Sequence, residues 1–206
     1  MSPQRILVSG FEPFAGEAVN PSTALVEALR DINLSGVDLH TLILPVVRGV
    51  ADDSLLAAIE ALSPSHVLMF GEAGGRAQIT PERVAVNVDD YRIEDNAGHQ
   101  PRGEPVVRGG PVGYFSTLPI DAMVAAMNSV GADAAVSNSA GTFLCNRVFY
   151  RTMHHLSCDA RGTRAGFVHL PSLHEQVPSG QNARPSMSLR VLVDAARQMI
   201  QVLARP

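Results

Sequence analysis

Residues 5–29 read RILVSGFEPFAGEAVNPSTALVEAL, a stretch that joins an apolar run to an amphipathic one through a loop. The run at residues 5–9 (RILVS) predicts a buried strand that ends at Gly10. Asn20 or Ser22 caps a helix that runs to about residue 31, with apolar residues at helical spacing on one face: Ala24, Leu25, Ala28 and Leu29. A strand followed by a helix is the unit from which α/β sheets are built, so this stretch indicates the fold class.

The same alternation continues along the rest of the chain. Further strands are predicted at residues 39–45, 66–71, 83–88, 134–137 and 165–170, and further helices at residues 49–62, 119–130, 141–158 and 189–203. Residues 89–113 and 171–185 are polar or rich in Gly and Pro and are predicted as long loops. We expect a single α/β domain over residues 1–206, in which an open, mixed, mostly parallel twisted sheet carries helices on both faces, as in phosphorylase- and hydrolase-like folds.

Composition narrows the classes of function. The 206 residues are 46% hydrophobic and 17% charged, which is typical of a globular protein. The net charge is −4 and the arginines are scattered, so no nucleic-acid partner is expected. No apolar run approaches the roughly 20 residues that a membrane span needs, and no membrane partner is expected. The two cysteines, Cys145 and Cys158, are too few for a disulfide framework, which indicates a reducing cytoplasm.

Cys145 is the candidate nucleophile. It lies in SNSAGTFLCNRVFY (residues 137–150), where a predicted strand meets a turn of small residues and then a helix. A thiol in the first helical turn lies near free backbone N–H groups, which favour the thiolate and can hold the oxyanion of a tetrahedral intermediate. The alternative is that Cys145 is a small buried hydrophobic residue, as many free cysteines are.

His169 is the candidate general base. It stands near the end of an apolar strand in GFVHLPSLHEQ (residues 166–176) and reaches the same crevice if that strand neighbours the strand at 134–137. Otherwise it is a half-buried core histidine. A carboxylate normally orients such an imidazole, and both Glu82 and Asp95 are candidates.

Metal and nucleotide sites find little support in the sequence. His154 and Cys158 stand four residues apart on one predicted helix, but no CxxC or HExxH motif accompanies them. The glycines of GEAGGR (residues 71–76) fit neither GxxxxGK[ST] nor GxGxxG. We therefore expect no metal and no cofactor.

Five segments together resemble the pyroglutamyl-peptidase I (pyrrolidone-carboxylate peptidase) family of cysteine peptidases. They are GFEPFAGEAVNPS (10–22), GEAGGR (71–76), ITPERVAVNVDDYRIEDNAGHQP (79–101) and the two segments around Cys145 and His169. The resemblance implies hydrolysis of an N-terminal pyroglutamyl (5-oxoprolyl) residue from peptides through a thioester, without a cofactor. It also implies peptide substrates as partners and homo-oligomers, dimers or tetramers.

Matched motif by motif, the resemblance also implies roles for individual residues. The triad would be Cys145, His169 and Glu82, with Asp95 and Arg92 in support. The other implied roles concern the substrate. Phe11 and Phe14 would place their rings on either face of the lactam, Asn20 would form a polar part of the wall, and Glu72 would lie beside the lactam.

The sequence departs from the family at three places. Ala15 replaces a usual glycine, Glu72 a usual Gln or Leu, and residues 172–174 the usual aromatic or aliphatic residues. Two alternatives stay open, the first because of Glu72 and Ala15 and the second because other proteins of this broad fold use the same crevice for other ligands. One is a cysteine amidohydrolase acting on another small lactam or amide. The other is a non-catalytic small-molecule-binding or nucleoside-phosphorylase-type relative.

Overall fold

The computed structural model describes residues 3–177 and 184–205. The strands are β1 (Gln4–Phe11), β2 (Val37–Leu44), β3 (His66–Glu72), β4 (Thr80–Pro81), β5 (Val84–Val86), β6 (Gly113–Phe115), β7 (Arg164–Leu170), β8 (Ser172–Leu173) and β9 (Ser186–Met187). The helices are α1 (Pro21–Leu29), α2 (Val50–Leu62), α3 (Ile120–Ser129), α4 (Leu144–Ser157) and α5 (Leu189–Leu203), with a 3-10 turn at His174–Gln176.

The central sheet has five strands in the order β2-β1-β3-β7-β4. β1 runs parallel to β2 and β3, β3 runs parallel to β7, and only the short β4 is antiparallel to its neighbour. The small pairs β5–β6 and β8–β9 lie outside this sheet. The predicted open, mixed and mostly parallel sheet is confirmed.

Helices cover both faces of the sheet because successive strand residues point to opposite sides. One core contains Ile6, Val8 and Leu68 together with apolar residues of α1, α3 and α5. The other contains Leu7, Val67 and Met69 together with residues of α2 and α4. This division confirms the predicted helix layers and places α4, which carries Cys145, opposite α1 and α5.

The strand predicted at residues 134–137 is wrong as a sheet strand. Ala134 and Ser137 form only isolated parallel bridges, to Ile79 and Glu82. Residues 79–82 therefore lie between this segment and β7, and His169 pairs with Thr80 of β4 instead. β4 has only two residues, and one of them is Pro81, a residue type that is rare in strands, so the strand is difficult to recognise in the sequence.

The observed boundaries of other strands differ from the predicted ones by a few residues. β1 continues to Phe11, which the sequence had placed in a loop, and the strand predicted at 83–88 shrinks to β5, paired with β6. The loop predicted at 171–185 contains β8 and the 3-10 turn, and its residues 178–183 lie outside the described residues. No helix in the described part of the chain is long and apolar enough to cross a membrane.

Candidate active site

A cavity of about 210 Å³ opens where the carboxyl ends of β1, β3 and β7 meet the start of α4. Crevices at this edge of parallel sheets are the usual ligand sites of open α/β folds. Its wall is mostly apolar and includes Phe11, Phe14, Asn20, Val46, Glu72, Ala73, Arg76, Ala140, Gly141, Phe143, Leu144, Cys145 and His169. We call it the inner cavity.

Cys145 is the second residue of α4, so its side chain stands in the first helical turn. The first backbone hydrogen bond of this helix runs from the Arg147 N–H to the Phe143 carbonyl. The N–H groups of Leu144, Cys145 and Asn146 precede that bond and have no acceptor within the helix. They are suited to hold an oxyanion that develops beside the thiol.

Two buried polar residues after Cys145 fix this end of α4. The Asn146 side chain accepts from the Val86 N–H at 2.9 Å and donates to the Val86 and Val88 carbonyls, which ties the helix to β5. Arg147 bonds Asp52 of α2 through two nitrogens and Asp89 at 2.5 Å. The helix start therefore cannot shift without breaking contacts on two sides.

Gly71 makes room for the thiol. A Cβ at this position would lie 2.9 Å from the Cys145 Sγ and 2.8 Å from Cζ of Phe167. Gly71 also pairs with His169 across β3 and β7, so it stands beside both groups. A side chain here would occupy the space that the sulfur uses.

His169 is oriented by Glu82. Its Nδ1 lies 2.7 Å from Oε1 of Glu82, and both side chains are buried. The backbone N–H of Glu82 donates to the Phe167 carbonyl at 2.8 Å, which holds the carboxylate beside β7. Arg76 donates to the same Oε1 at 2.7 Å and also bonds Thr80 and the Ser139 carbonyl.

The charges of this chain of groups follow from their surroundings. Burial alone would raise the pKa of Glu82, but His169 and Arg76 outweigh it, so the pKa lies below its ordinary value and the group is ionised. With an ionised partner, Nδ1 of His169 carries the proton and Nε2 can accept one. Burial lowers the pKa of His169 below its ordinary value of 6.5, although Glu82 opposes this, and the ring is neutral at pH 7.

The thiol is protonated before substrate binds. Burial raises the pKa of Cys145 to about 12, and the charges of Glu82 and Glu72 add to the rise. The predicted preference of the helix start for a thiolate is thus outweighed by desolvation and by these carboxylates. The site holds a neutral thiol and a neutral imidazole, so the proton must move as the sulfur attacks.

Aromatic rings form much of the cavity wall. Phe14 packs against Phe143 with ring centroids 6.0 Å apart, and Phe143 meets Tyr91 edge-on at 4.6 Å. Phe11 packs instead against Phe167 at 6.4 Å. Phe11 and Phe14 therefore both reach the inner cavity but are held by different neighbours.

Asn20 and Glu72 also reach the inner cavity. The Asn20 amide is engaged in capping α1: its oxygen accepts from the N–H and hydroxyl of Ser22, and its nitrogen donates to the Glu12 carbonyl. The Glu72 carboxylate accepts from the Ser172 hydroxyl at 2.7 Å and from Nε2 of Gln176 at 3.3 Å. Asn20 is thus partly occupied by the fold, whereas Glu72 keeps a negative charge at the wall.

Arg92 and Asp95 lie away from Cys145. Arg92 is exposed and lines a second cavity of about 450 Å³, which we call the outer cavity. Asp95 is buried and accepts from the N–H groups of Arg48, Ala97 and His99. Asp95 therefore organises the loop at residues 89–112 and does not reach the inner cavity.

Sequence reasoning missed several residues of this site. Arg76 and Phe143 belong to segments that were recognised, but neither was given a role. Asn146 and Arg147 were also given no role, although two adjacent polar residues in the first turn of an amphipathic helix were a usable signal. Both are buried in the structure. Nδ1 of His154 lies at hydrogen-bond distance, 2.8 Å, from the Tyr114 hydroxyl. Within residues 3–177 and 184–205, no group of three Asp, Glu, Cys or His side chains is placed to hold a metal ion.

The chain is similar to known proteins in both sequence and fold. The family model described as pyroglutamyl peptidase matches residues 4–206. The pyrrolidone-carboxylate peptidase of Vibrio vulnificus (strain YJ016) is 48% identical over 197 residues, which cover 96% of this chain and 91% of that protein. The crystal structure of pyroglutamyl peptidase I from Bacillus amyloliquefaciens superposes with a TM-score of 0.93 at 39% identity, covering 98% of this chain and 97% of that one. Pyrrolidone carboxyl peptidase from Thermococcus litoralis has a TM-score of 0.93 at 33% identity, covering 97% and 92%. The chain therefore belongs to the pyroglutamyl peptidase family.

Proposed function

We propose that this chain is a cysteine peptidase that removes an N-terminal pyroglutamyl residue from peptides, with Cys145 as nucleophile. The observation that carries the proposal is a small aromatic cavity whose wall holds Cys145 beside the hydrogen-bonded pair His169 and Glu82. Relatives named for this activity support the same conclusion. A non-catalytic binding protein would need none of these three side chains.

The cavity suits a lactam. Pyroglutamate presents a flat, neutral ring with one carbonyl and one N–H, and aromatic faces with a few polar groups bind such a ring well. Phe11, Phe14 and Phe143 supply the aromatic surface, while Asn20 and Glu72 supply polar atoms. Proline lacks the lactam carbonyl and would leave polar groups of the wall unpaired, so it is disfavoured.

The reaction begins from the neutral pair. Nε2 of His169 takes the thiol proton while Sγ of Cys145 forms a bond to the pyroglutamyl carbonyl carbon. The carbonyl oxygen becomes an oxyanion beside the free N–H groups of Leu144 and Cys145 at the start of α4. Glu82 stabilises the imidazolium that has formed, because its carboxylate is ionised and 2.7 Å from Nδ1.

The second half of the reaction returns the site to its starting state. The oxyanion re-forms the carbonyl, the bond to the leaving nitrogen breaks, and His169 gives its proton to that amine. Water then loses a proton to His169 and attacks the thioester carbon. Breakage of the carbon–sulfur bond releases pyroglutamate, and the sulfur regains its proton as the thiol of Cys145.

The test is release of aminomethylcoumarin from its pyroglutamyl derivative under reducing conditions, with and without iodoacetamide. Turnover should stop on alkylation and in Cys145→Ser. The matched variant Cys158→Ser should keep wild-type turnover, because Cys158 is exposed at the far end of α4. Wild-type turnover in Cys145→Ser would refute the nucleophile assignment, and faster cleavage of prolyl or glutaminyl derivatives would favour a different amidohydrolase.

Several further expectations belong to this proposal. We propose that residues 1–206 act as one catalytic domain, and that Asp95 supports the site through the loop it organises. Arg92 would assist the oxyanion only by moving from the outer cavity, and that role stays a prediction. A cytoplasmic location is supported by two free cysteines and by chemistry that needs a reduced thiol.

A homo-oligomer, dimer or tetramer, also stays a prediction. The exposed apolar side chains of Val112 and Phe115, at 88% and 70%, are surface that contact with a second copy would bury. Light scattering across a concentration series measures the oligomeric state directly.

A further inference from the structure

Glu72 stands at the junction of two cavities. It lines the inner cavity with Cys145 and also the outer cavity, and Phe14 and Phe143 are the other residues common to both. A peptide whose first residue fills the inner cavity must pass this junction, because Cys145 has to reach the carbonyl that links that residue to the next. A peptide bound in this way would place the residue after pyroglutamate beside Glu72.

The Glu72 carboxylate is held in place by neutral donors. Ser172, which is buried, donates to Oε1 at 2.7 Å, and Nε2 of Gln176 lies 3.3 Å from both carboxylate oxygens. Gln176 is itself fixed, since its Oε1 accepts from the Leu173 N–H and its Nε2 also donates to the Val19 carbonyl. These contacts fix the position of the carboxylate without neutralising its charge.

No basic side chain in the described part of the chain, residues 3–177 and 184–205, forms an ion pair with Glu72. Arg76 lines the same cavity, but its guanidinium is directed to Glu82, Thr80 and the Ser139 carbonyl. A fixed carboxylate beside the leaving residue attracts a positive side chain there and repels a negative one.

We propose that Glu72 selects substrates by the charge of the residue that follows pyroglutamate, favouring a basic side chain and disfavouring an acidic one. The proposal rests on the proposed function and adds a substrate class to it. Two acidic and two basic side chains also line the outer cavity, namely Glu17, Asp90, Arg92 and Arg184. Their formal charges cancel, which leaves Glu72 as the excess charge of that lining.

The experiment uses three amide-blocked substrates, pyroglutamyl-lysinamide, pyroglutamyl-alaninamide and pyroglutamyl-glutamic acid α-amide. Blocking the C-terminus leaves the side chain as the only charge that differs. Released pyroglutamate is measured by chromatography to obtain kcat/KM. We expect the order Lys, Ala, Glu, with at least about fivefold between the extremes at low salt and a smaller ratio at high salt.

Glu72→Gln should reduce that ratio to about one, because the amide keeps the hydrogen-bonding shape and removes the charge. Glu72→Asp keeps the charge and should keep the order. The matched control is Glu175→Gln, the same change on an exposed residue of the adjacent 3-10 turn, and it should leave the ratio as in the wild type. A general effect of Glu72 on the thiol would scale all three rates equally and leave the ratio intact.

Equal rates for the three substrates in the wild type, or an unchanged ratio in Glu72→Gln, would overturn the role of Glu72 alone. Absence of turnover with all three substrates and with the coumarin derivative would overturn the proposed function, and this proposal with it.

Discussion

Replacing Gly71 by alanine tests whether the narrow space beside the thiol matters for catalysis. The added Cβ would lie 2.9 Å from Sγ of Cys145, whereas an ordinary contact is about 3.5–4.0 Å. The shortfall is roughly 0.6–1.1 Å. Phe167 crowds the same position at 2.8 Å and is 1% exposed, so it has no free space into which to retreat. The sulfur must therefore leave its present position beside Gly71.

Misplacement of a reacting group by about 1 Å costs on the order of 100-fold in rate, or about 2.7 kcal/mol of transition-state stabilisation. We expect kcat/KM of Gly71→Ala for the coumarin substrate to fall by roughly that factor. Overpacking should also lower the free energy of unfolding by about 1–3 kcal/mol, measured by urea denaturation.

Gly166→Ala is the matched control for the loss of stability. Gly166 lies on the same strand as His169, and its added Cβ would clash with Oγ of Ser116 and lie 2.9 Å from Cδ1 of Leu118, with no contact to the thiol among its nearest atoms. Gly166→Ala should lose a comparable amount of stability but keep near-wild-type kcat/KM under conditions in which circular dichroism shows that it is folded. Wild-type kcat/KM in Gly71→Ala, or equal losses of activity in both variants, would show that the space beside the sulfur is not a constraint on catalysis.

Two further perturbations address the charges around His169. In Arg76→Gln, Glu82 loses a charged hydrogen-bond donor. We therefore expect kcat to fall about tenfold with little change in KM, and the free energy of unfolding to fall by about 1.5 kcal/mol. An unchanged kcat would show that Arg76 has no role in catalysis. Thermal unfolding between pH 7.5 and 3 should show stability decreasing toward acid. His169 stays neutral in the folded chain while the unfolded chain takes up a proton below its ordinary pKa of 6.5, and Glu82, whose folded pKa is depressed below 4.5, loses its contribution as pH falls toward that depressed value. Glu82→Gln should flatten the lower part of this decrease, and an identical pH profile in both proteins would contradict the assigned charges.

The fold class could be predicted because buried parallel strands carry their signal locally. The runs RILVS and HVLMFG are apolar on both faces and end at glycine, so each reads as a strand without knowledge of its neighbours. The segment at residues 134–137 shows where that logic stops. This segment bridges to the residues on either side of β4, a two-residue strand that contains Pro81. Such a partner is brought close only by the tertiary fold, so the local sequence pattern does not reveal it.

The site divides in the same way. Cys145 and His169 could be proposed from their positions near the ends of predicted elements, whereas the choice of Glu82 over Asp95 rested on the family resemblance. The structure places Cys145 and His169 on one cavity wall and pairs His169 with Glu82. The charge state of the thiol could not be predicted, because the helix start favours the thiolate while burial, Glu82 and Glu72 disfavour it, and only coordinates show which effect is larger.

Other residues changed meaning once their contacts were known. The family resemblance implies that Asn20 contacts the substrate, but the helix cap that the sequence also predicts at Asn20 or Ser22 takes up much of its hydrogen bonding. Arg76 looks like the end of a glycine-rich turn, yet it bonds the carboxylate that orients His169. A long flexible side chain can reach in many directions, so its partner cannot be read from its position in the chain.

The position of β7 in the sheet has a consequence for protein synthesis. β7 lies between β3 and β4, but its residues 164–170 emerge from the ribosome long after both of its neighbours. Until then β3 has an open edge, and the imidazole that His169 supplies is absent from the growing chain. The nascent polypeptide therefore carries the thiol of Cys145 without its base while residues 146–168 are added, and proteolytic activity can arise only after residue 169 has been incorporated. The same delay leaves an unpaired apolar strand exposed, so we expect slow translation beyond residue 160 to favour aggregation more than slow translation near the N-terminus.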